Sequence, residues 1–212
     1  MKTIKIQLNE TLLPIYLWPG SIGVSVSGGA DSAILLYILL KYISAPVHVF
    51  TASLRVKNNS APRSAFTIIE KCIELTGNSS VYHHVHFIDD MDNKGSLFDG
   101  PNYFLKNKLV DVVYTAETTF PSIDEFKKFK NQDYFIFNQR DPENKKPVLL
   151  KKFYSPFIQI NKKQIRELYE YYDLLDTLYP VTRSCESFHL TTGHCGKCLW
   201  CEERLWAFGK YQ

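Results

Sequence analysis

One segment constrains the fold of this chain more than any other. Ile22–Val26 is a short run rich in β-branched residues, Ser27-Gly28-Gly29-Ala30-Asp31-Ser32 breaks it, and Ala33–Tyr42 follows, apolar on most sides. A strand that passes through a glycine turn into a helix of buried character is the opening of a parallel β-α-β unit. The same alternation continues downstream. Strands are expected at Val47–Ser53, Val81–Ile88 and Leu109–Thr115, and a helix over Ala61–Leu75, with Ala65, Phe66, Ile69, Cys72 and Ile73 as its apolar stripe and Gly77 as its end. The pattern predicts an α/β fold, a Rossmann-like parallel sheet with helices on both faces. Lys2–Leu8 alternates polar and apolar and reads as an edge strand, followed by a turn at Trp18-Pro19-Gly20. From Phe120 to Lys152 the periodicity fades, with Asp133–Phe137 as a possible strand. Asn161 and Gln164 have capping-box spacing ahead of a helix to about Leu175.

The Ser27–Ser32 turn carries chemistry as well as topology. Gly28 and Gly29 have no Cβ, so phosphate oxygens can approach backbone N–H groups at the helix N-terminus, where the helix dipole favours an anion. Ser27 and Ser32 add hydroxyl donors. A carboxylate at Asp31 beside phosphates repels them unless a cation lies between, which points to Mg²⁺. The bland alternative is a plain strand–helix turn with Asp31 or Ser32 as N-cap. No Gly-Lys-Ser/Thr follows, so this is not the nucleoside-triphosphatase loop, and it is not the G-x-G-x-x-G dinucleotide turn.

Four of the five cysteines cluster as Cys185-x9-Cys195-x2-Cys198-x2-Cys201. Four thiolates complete a tetrahedral zinc site and leave no open position, so Zn²⁺ there is structural. An iron–sulfur cluster, disulfides or a redox pair at Cys195/Cys198 are the alternatives, and His189 and His194 are possible competing ligands. The expected organisation is an α/β domain over 1–180 and a zinc-binding lobe over 181–212 packed on it.

Composition bounds the rest. A chain of 212 residues buries about 70% of its unfolded surface and holds a core without disulfide staples. Hydrophobic residues are 45% and charged residues 22% of the chain, which excludes a disordered or fibrous protein. A net charge of +3 does not suit a dedicated nucleic-acid binder. The longest apolar run, Ala33–Leu40, is far short of the roughly 20 residues that span a bilayer. Met1–Glu10 lacks the apolar core of a signal peptide, so a cytoplasmic, reducing environment is expected.

Ser-Gly-Gly-x-Asp-Ser resembles the signature loop of the ATP pyrophosphatases. Thr182-Arg183-Ser184-Cys185 with Cys195-Gly196-Lys197-Cys198-x2-Cys201-x2-Arg204-x2-Ala207-Phe208 resembles the C-terminal signature of the 7-cyano-7-deazaguanine synthase (QueC) family. Ser155-Pro156-Phe157 and Asn161-Lys162-Lys163-Gln164 are similar to that family's proline segment and its lysine-rich helix start. The resemblance implies that Ser27 to Ser32 grip ATP, with Asp31 and Ser32 catalytic and Ala52 and Ser53 bordering the adenine. It implies conversion of a deazapurine carboxylate and ammonia to a nitrile through an adenylated intermediate, in a homodimer. The middle of the chain departs. Ser53–Asn58 and Thr115–Ser122 stand where the family carries its substrate segments. The alternatives are a related ATP pyrophosphatase acting on another modified base or a protein terminus, and a zinc-knuckle nucleic-acid module without turnover.

Remaining features have bland readings. His83, His84 and His86 read as strand residues, and Cys72 as core. Lys127, Lys128 and Lys130 read as a solvated face, with Phe126 and Phe129 turned inward. Arg55, Lys57 and Arg63 are either phosphate contacts or loop charges. Glu117 is a candidate base by position, and Arg204 a partner for a carboxylate near the cysteines.

Overall fold

The computed structural model describes residues 2–54, 60–88, 97–185, 187 and 192–211. Its centre is a six-stranded sheet of β3 (Ile22–Ser25), β4 (Val47–Leu54), β5 (Val81–Ile88), β6 (Val112–Tyr114), β7 (Leu149–Leu150) and β8 (Phe153–Tyr154). The strand order is β5-β4-β3-β6-β8-β7. All pairs are parallel except β7–β8, a hairpin that adds one antiparallel edge strand. The fold is therefore α/β with a mixed, mostly parallel sheet. The order turns at β3, which sits between β4 and β6. In open sheets of this kind, ligands bind outside the strand C-termini at such a reversal, and the Ser27–Ser32 turn leaves β3 there.

Helix α1 (Ala30–Tyr42) explains its own sequence. Ser32 through Leu40 are all buried, so an all-round apolar helix is what its position demands. Helix α2 (Ala61–Thr76) is amphipathic, buries Ala65, Ile68, Ile69 and Cys72, and ends at Gly77 with φ 70°. Only glycine holds that left-handed C-cap without strain. Helix α6 (Lys162–Tyr171) begins with the expected capping box: the Asn161 side chain accepts from Lys163 N and Gln164 Oε1 accepts from Asn161 N. It packs against α1 and against α7 (Leu199–Phe208), the last helix. Ala207 and Phe208 of α7 join the main core.

One expectation is refined and one is corrected. Lys2–Leu8 forms an edge strand as expected, but outside the main sheet. Its strand β1 (Lys2–Gln7) forms a separate antiparallel hairpin with β2 (Leu12–Leu17), tied to the sheet where Tyr114 Oη donates to Tyr16 O at 2.7 Å. Pro14 hid β2 in the sequence; it sits where one strand edge needs no N–H. Asp133–Phe137 is not a strand. Asp133 instead caps α5 (Tyr134–Gln139), accepting from Ile136 N at 3.0 Å. The segment after Phe120, including the short α4 (Ile123–Phe126), also lacks a legible period because it has its own small core. Phe120, Phe126, Phe129, Phe137 and Leu199 pack together, while Lys127, Lys128 and Lys130 are exposed as expected. The remaining helix is α3 (Asp99–Lys106), and no helix among the described residues is long and apolar enough to cross a membrane.

Candidate functional site

The site begins where β3 ends. Val26 N donates to Phe50 O at 2.9 Å, and Thr51 Oγ1 donates to Val26 O at 3.0 Å, so β4 holds the chain up to the turn. Gly28 then takes φ +96°, a conformation L side chains rarely adopt, and a Cβ there would lie 2.6 Å from Ser64 Cβ on α2. Both facts require glycine. Ser32 faces inward: its Oγ accepts from Ser27 N at 3.3 Å and donates to Gly29 O at 3.1 Å. Ser27 is exposed and its Oγ accepts from Gly29 N at 3.4 Å.

The bland reading of this turn needed Asp31 or Ser32 as N-cap. The structure has Gly29 in that place, with no side-chain cap on α1. The first N–H groups of a buried 13-residue helix are thus left to an external acceptor, the condition under which a helix start takes an anion.

Asp31 is held from α6. Lys162 Nζ pairs with Asp31 Oδ2, and Lys162 is itself buried. Asp31 Oδ1 is buried and has no hydrogen-bond partner among the described residues. A buried bare carboxylate oxygen costs free energy unless a proton donor or cation serves it. Two turns further along α6, Tyr169 Oη donates to Ala30 O at 2.8 Å. Burial drives the Tyr169 phenol far above its usual range, so it is a fixed donor. Lys162 and Tyr169 were not read as site residues. Seven residues apart, they share one face of a helix, and Lys162 also stands in the Asn161–Gln164 run whose resemblance to a family helix start could have marked it.

Ala52 and Ser53 lie at the end of β4. The last β3–β4 pair is Ser25 with Phe50, so the register brings Ala52 level with Ser27. Glu117 is exposed beyond β6, while its neighbours Thr118 and Thr119 are buried. Arg140 holds that segment: it donates to Thr118 O at 2.8 Å, Thr118 Oγ1 at 2.6 Å and Thr119 O at 3.1 Å, and pairs with Glu203 Oε1 at 2.7 Å. Arg63 is exposed, and Arg55, Lys57 and His189 lie outside the described residues. A groove of about 560 Å³ lined by Trp18, Asp111, Leu149 and Lys152 lies at the other end of the strands and includes none of the motif residues.

The sulfur atoms of Cys185, Cys195, Cys198 and Cys201 all lie within 4.8 Å of one another, and none of the four is in a disulfide. A tetrahedral ion with bonds of about 2.3 Å spaces its sulfurs by about 3.8 Å, and Cys195 Sγ to Cys201 Sγ is 3.9 Å. The set can chelate one metal ion. Ser187 N and Cys195 N both donate to Cys185 Sγ at 3.4 Å, the kind of contact that stabilises a thiolate. His194 instead stacks on Tyr211 at 5.3 Å. Burial, then the charges of Arg204 and Arg183, lower its pKa to about 4.

Among the described residues, Arg204 meets neutral acceptors and not the carboxylate expected for it. It is fully buried and donates to Tyr211 O at 2.8 Å, Ser184 Oγ at 3.1 Å, Tyr179 O at 3.3 Å and Thr182 Oγ1 at 2.8 Å. Its guanidinium lies 4.1 Å from the centre of the Tyr179 ring. It organises the turn that leads into Cys185.

No family model matches the chain, and no curated protein matches it. Among solved structures it is similar to the U34-tRNA thiolase NcsA from Methanococcus maripaludis, at 14% identity and TM-score 0.41, over 73% of this chain and 57% of that one. The NMN synthetase from Francisella tularensis matches at 14% identity and TM-score 0.41, over 89% of this chain and 77% of that one. A predicted subunit of a tRNA methyltransferase from Methanocaldococcus jannaschii matches at 14% identity and TM-score 0.35, over 71% and 74%. The chain thus spans a little over half the length of the thiolase.

Proposed function

We propose that the protein is an ATP-dependent, AMP-forming enzyme that binds the phosphates of ATP at Ser27–Ser32, adenylates an oxygen of its acceptor, and carries one structural Zn²⁺ at its four cysteines. The observation that carries this reading is the paired state of Asp31, with one oxygen on Lys162 and the other buried and bare. A cation beside the phosphates serves that oxygen and offsets phosphate charge when bound. The uncapped start of α1 supports the same reading, because its free N–H groups suit phosphate oxygens. Ala52, level with Ser27, and Ser53 are the proposed adenine border.

For the acceptor, the resemblance of Thr182–Phe208 supports 7-carboxy-7-deazaguanine. Its carboxylate attacks the α-phosphorus and pyrophosphate leaves. Ammonia displaces AMP to give the amide, and a second adenylation with loss of AMP leaves the nitrile. Arg140 and Glu203 fix the Thr118–Thr119 segment at the strand C-termini, where this acceptor would lie.

Incubation with ATP, Mg²⁺, ammonium and 7-carboxy-7-deazaguanine, followed by mass spectrometry, tests the acceptor. Nitrile with AMP supports it. AMP and pyrophosphate only with another acceptor keeps the ATP chemistry and replaces the substrate.

A further inference from the structure

The four-cysteine site and the Ser27–Ser32 turn are joined by hydrogen bonds through Arg183, and Ser184, the residue before Cys185, lies against the turn. Arg183 N donates to Gly28 O at 2.7 Å, so the glycine that needs a positive φ is held from the cysteine segment. Among the described residues, the Arg183 guanidinium reaches three acceptors. Nε donates to Gly193 O at 2.9 Å, Nη2 to Ser187 O at 3.2 Å and Nη1 to Ser60 Oγ at 2.5 Å. Gly193 and Ser187 belong to the loop between Cys185 and Cys195, and Ser60 is the N-cap of α2. Ser60 makes no side-chain cap bond to its own helix. One side chain thus ties Ser187 and Gly193, each two residues from a site cysteine, to the helix start against which Gly28 packs. Ser184 Oγ lies 4.0 Å from where a Cβ on Gly29 would stand, and it is fixed by Arg204, three residues beyond Cys201.

We propose that metal at the cysteines and polyphosphate at the Ser27–Ser32 turn strengthen each other's binding, with Arg183 as the positioning residue that carries the coupling. The physical argument concerns order. The loop between Cys185 and Cys195 is gathered by the ion that its cysteines share, and a gathered loop offers Gly193 O and Ser187 O to Arg183 in one geometry. Arg183 then holds the Gly28 carbonyl and the Ser60 end of α2 in one arrangement, which a polyphosphate otherwise has to fix at its own cost. The planar fork matters here: the acceptors are met from three separate nitrogens, Nε, Nη1 and Nη2, a spread that the single nitrogen of an ammonium does not have. The inference rests on the proposed ATP reading of the turn, and it adds a role for the metal beyond holding its own lobe.

Coupling of this kind is reciprocal, which supplies the test. Zinc transfer from the purified protein to a chromogenic chelator is measured with and without saturating ATP, and with inorganic pyrophosphate. ATP affinity is measured by calorimetry on zinc-loaded and zinc-stripped protein. Saturating ATP is expected to raise zinc affinity about tenfold, and zinc to raise ATP affinity by the same factor. In Arg183→Ala both factors fall to about one, while zinc still binds. Arg183→Lys is expected to restore little of the coupling. If Arg183→Ala does not hold zinc, Ser60→Ala cuts the same brace outside the cysteine lobe and lowers the coupling factor by about threefold. Equal ATP affinity in the loaded and stripped wild type overturns the coupling and leaves the ATP reading intact. No ATP binding in either state overturns both.

Discussion

Lys162 and Asp31 are 131 positions apart and form a buried ion pair at the first turn of α1. The pair fixes one carboxylate oxygen and leaves the other bare. Lys162→Met removes the partner of a largely buried carboxylate and is expected to destabilise the fold by about 3 kcal/mol. The double variant Asp31→Asn/Lys162→Met recovers most of that loss, since neither charge remains. Urea denaturation of the two variants and the wild type checks the loss and its recovery.

Arg140 and Glu203 make the second buried ion pair, with Glu203 fully buried. Glu203→Ala strands the Arg140 guanidinium and is expected to cost about 3–4 kcal/mol. Glu203→Gln keeps the shape and one acceptor and costs less. Arg140→Ala also frees Thr118 and Thr119, so amide hydrogen exchange over 118–120 rises in that variant.

Arg204 serves four neutral acceptors from a fully buried position. Lysine has no planar fork to reach them together. Arg204→Lys is expected to lose about 3 kcal/mol by leaving buried acceptors unmet, read as a fall in the denaturation midpoint with the slope unchanged.

His48, His83 and His84 form a pH-sensitive group on β4 and β5. His48 Nδ1 and His84 Nε2 are 3.0 Å apart, and His83 Nε2 is 2.9 Å from Thr51 Oγ1. Burial, and for His48 and His83 also the charge of His84, lowers their pKa values below 6.5. The unfolded chain therefore binds more protons in mildly acidic solution than the folded one. The stability they contribute is complete above the unfolded value and is lost as pH falls through the folded values. The melting temperature is expected to drop between pH 6.5 and 5, and His84→Phe to flatten that slope. A melting series in matched ionic strength measures it.

The cysteine site predicts a further pH effect. Burial pushes the Cys195 thiol up, but N–H donors from Lys197 and neighbouring thiols outweigh it and bring it to about 7. Burial raises Cys201. Ligation requires thiolates, so metal affinity falls as acid protonates them. Native mass spectrometry is expected to show about one zinc per chain at neutral pH, with loss on acidification, and Cys201→Ser to lose the metal at all pH values.

The sequence was most legible where one force dominates. Helix α1 is apolar on all sides because it is buried on all sides, and the Asn161/Gln164 capping box announces α6 by local hydrogen bonding alone. The cysteine spacing likewise announces a shared point for four sulfurs. Segments whose structure is set by distant partners were not legible. β2 is masked by Pro14, and α5 looks like a strand because Tyr134, Phe135, Ile136 and Phe137 favour strands when no tertiary core intervenes. Lys162, Arg140 and Arg183 acquire their roles from residues far off in sequence. No periodicity separates them from solvated charges, and Lys162 and Arg183 stand out only through the motifs that contain them.

The central claim is that the Ser27–Ser32 turn supports cleavage of ATP between its α- and β-phosphates. The most direct test follows α-labelled ATP on the purified protein with Mg²⁺ and candidate acceptors, 7-carboxy-7-deazaguanine with ammonium first among them. The account predicts labelled AMP and one pyrophosphate for each AMP, with formation lost in Asp31→Ala while zinc content stays at the wild-type level. Labelled ADP as the product, or undiminished AMP formation by Asp31→Ala, would contradict it.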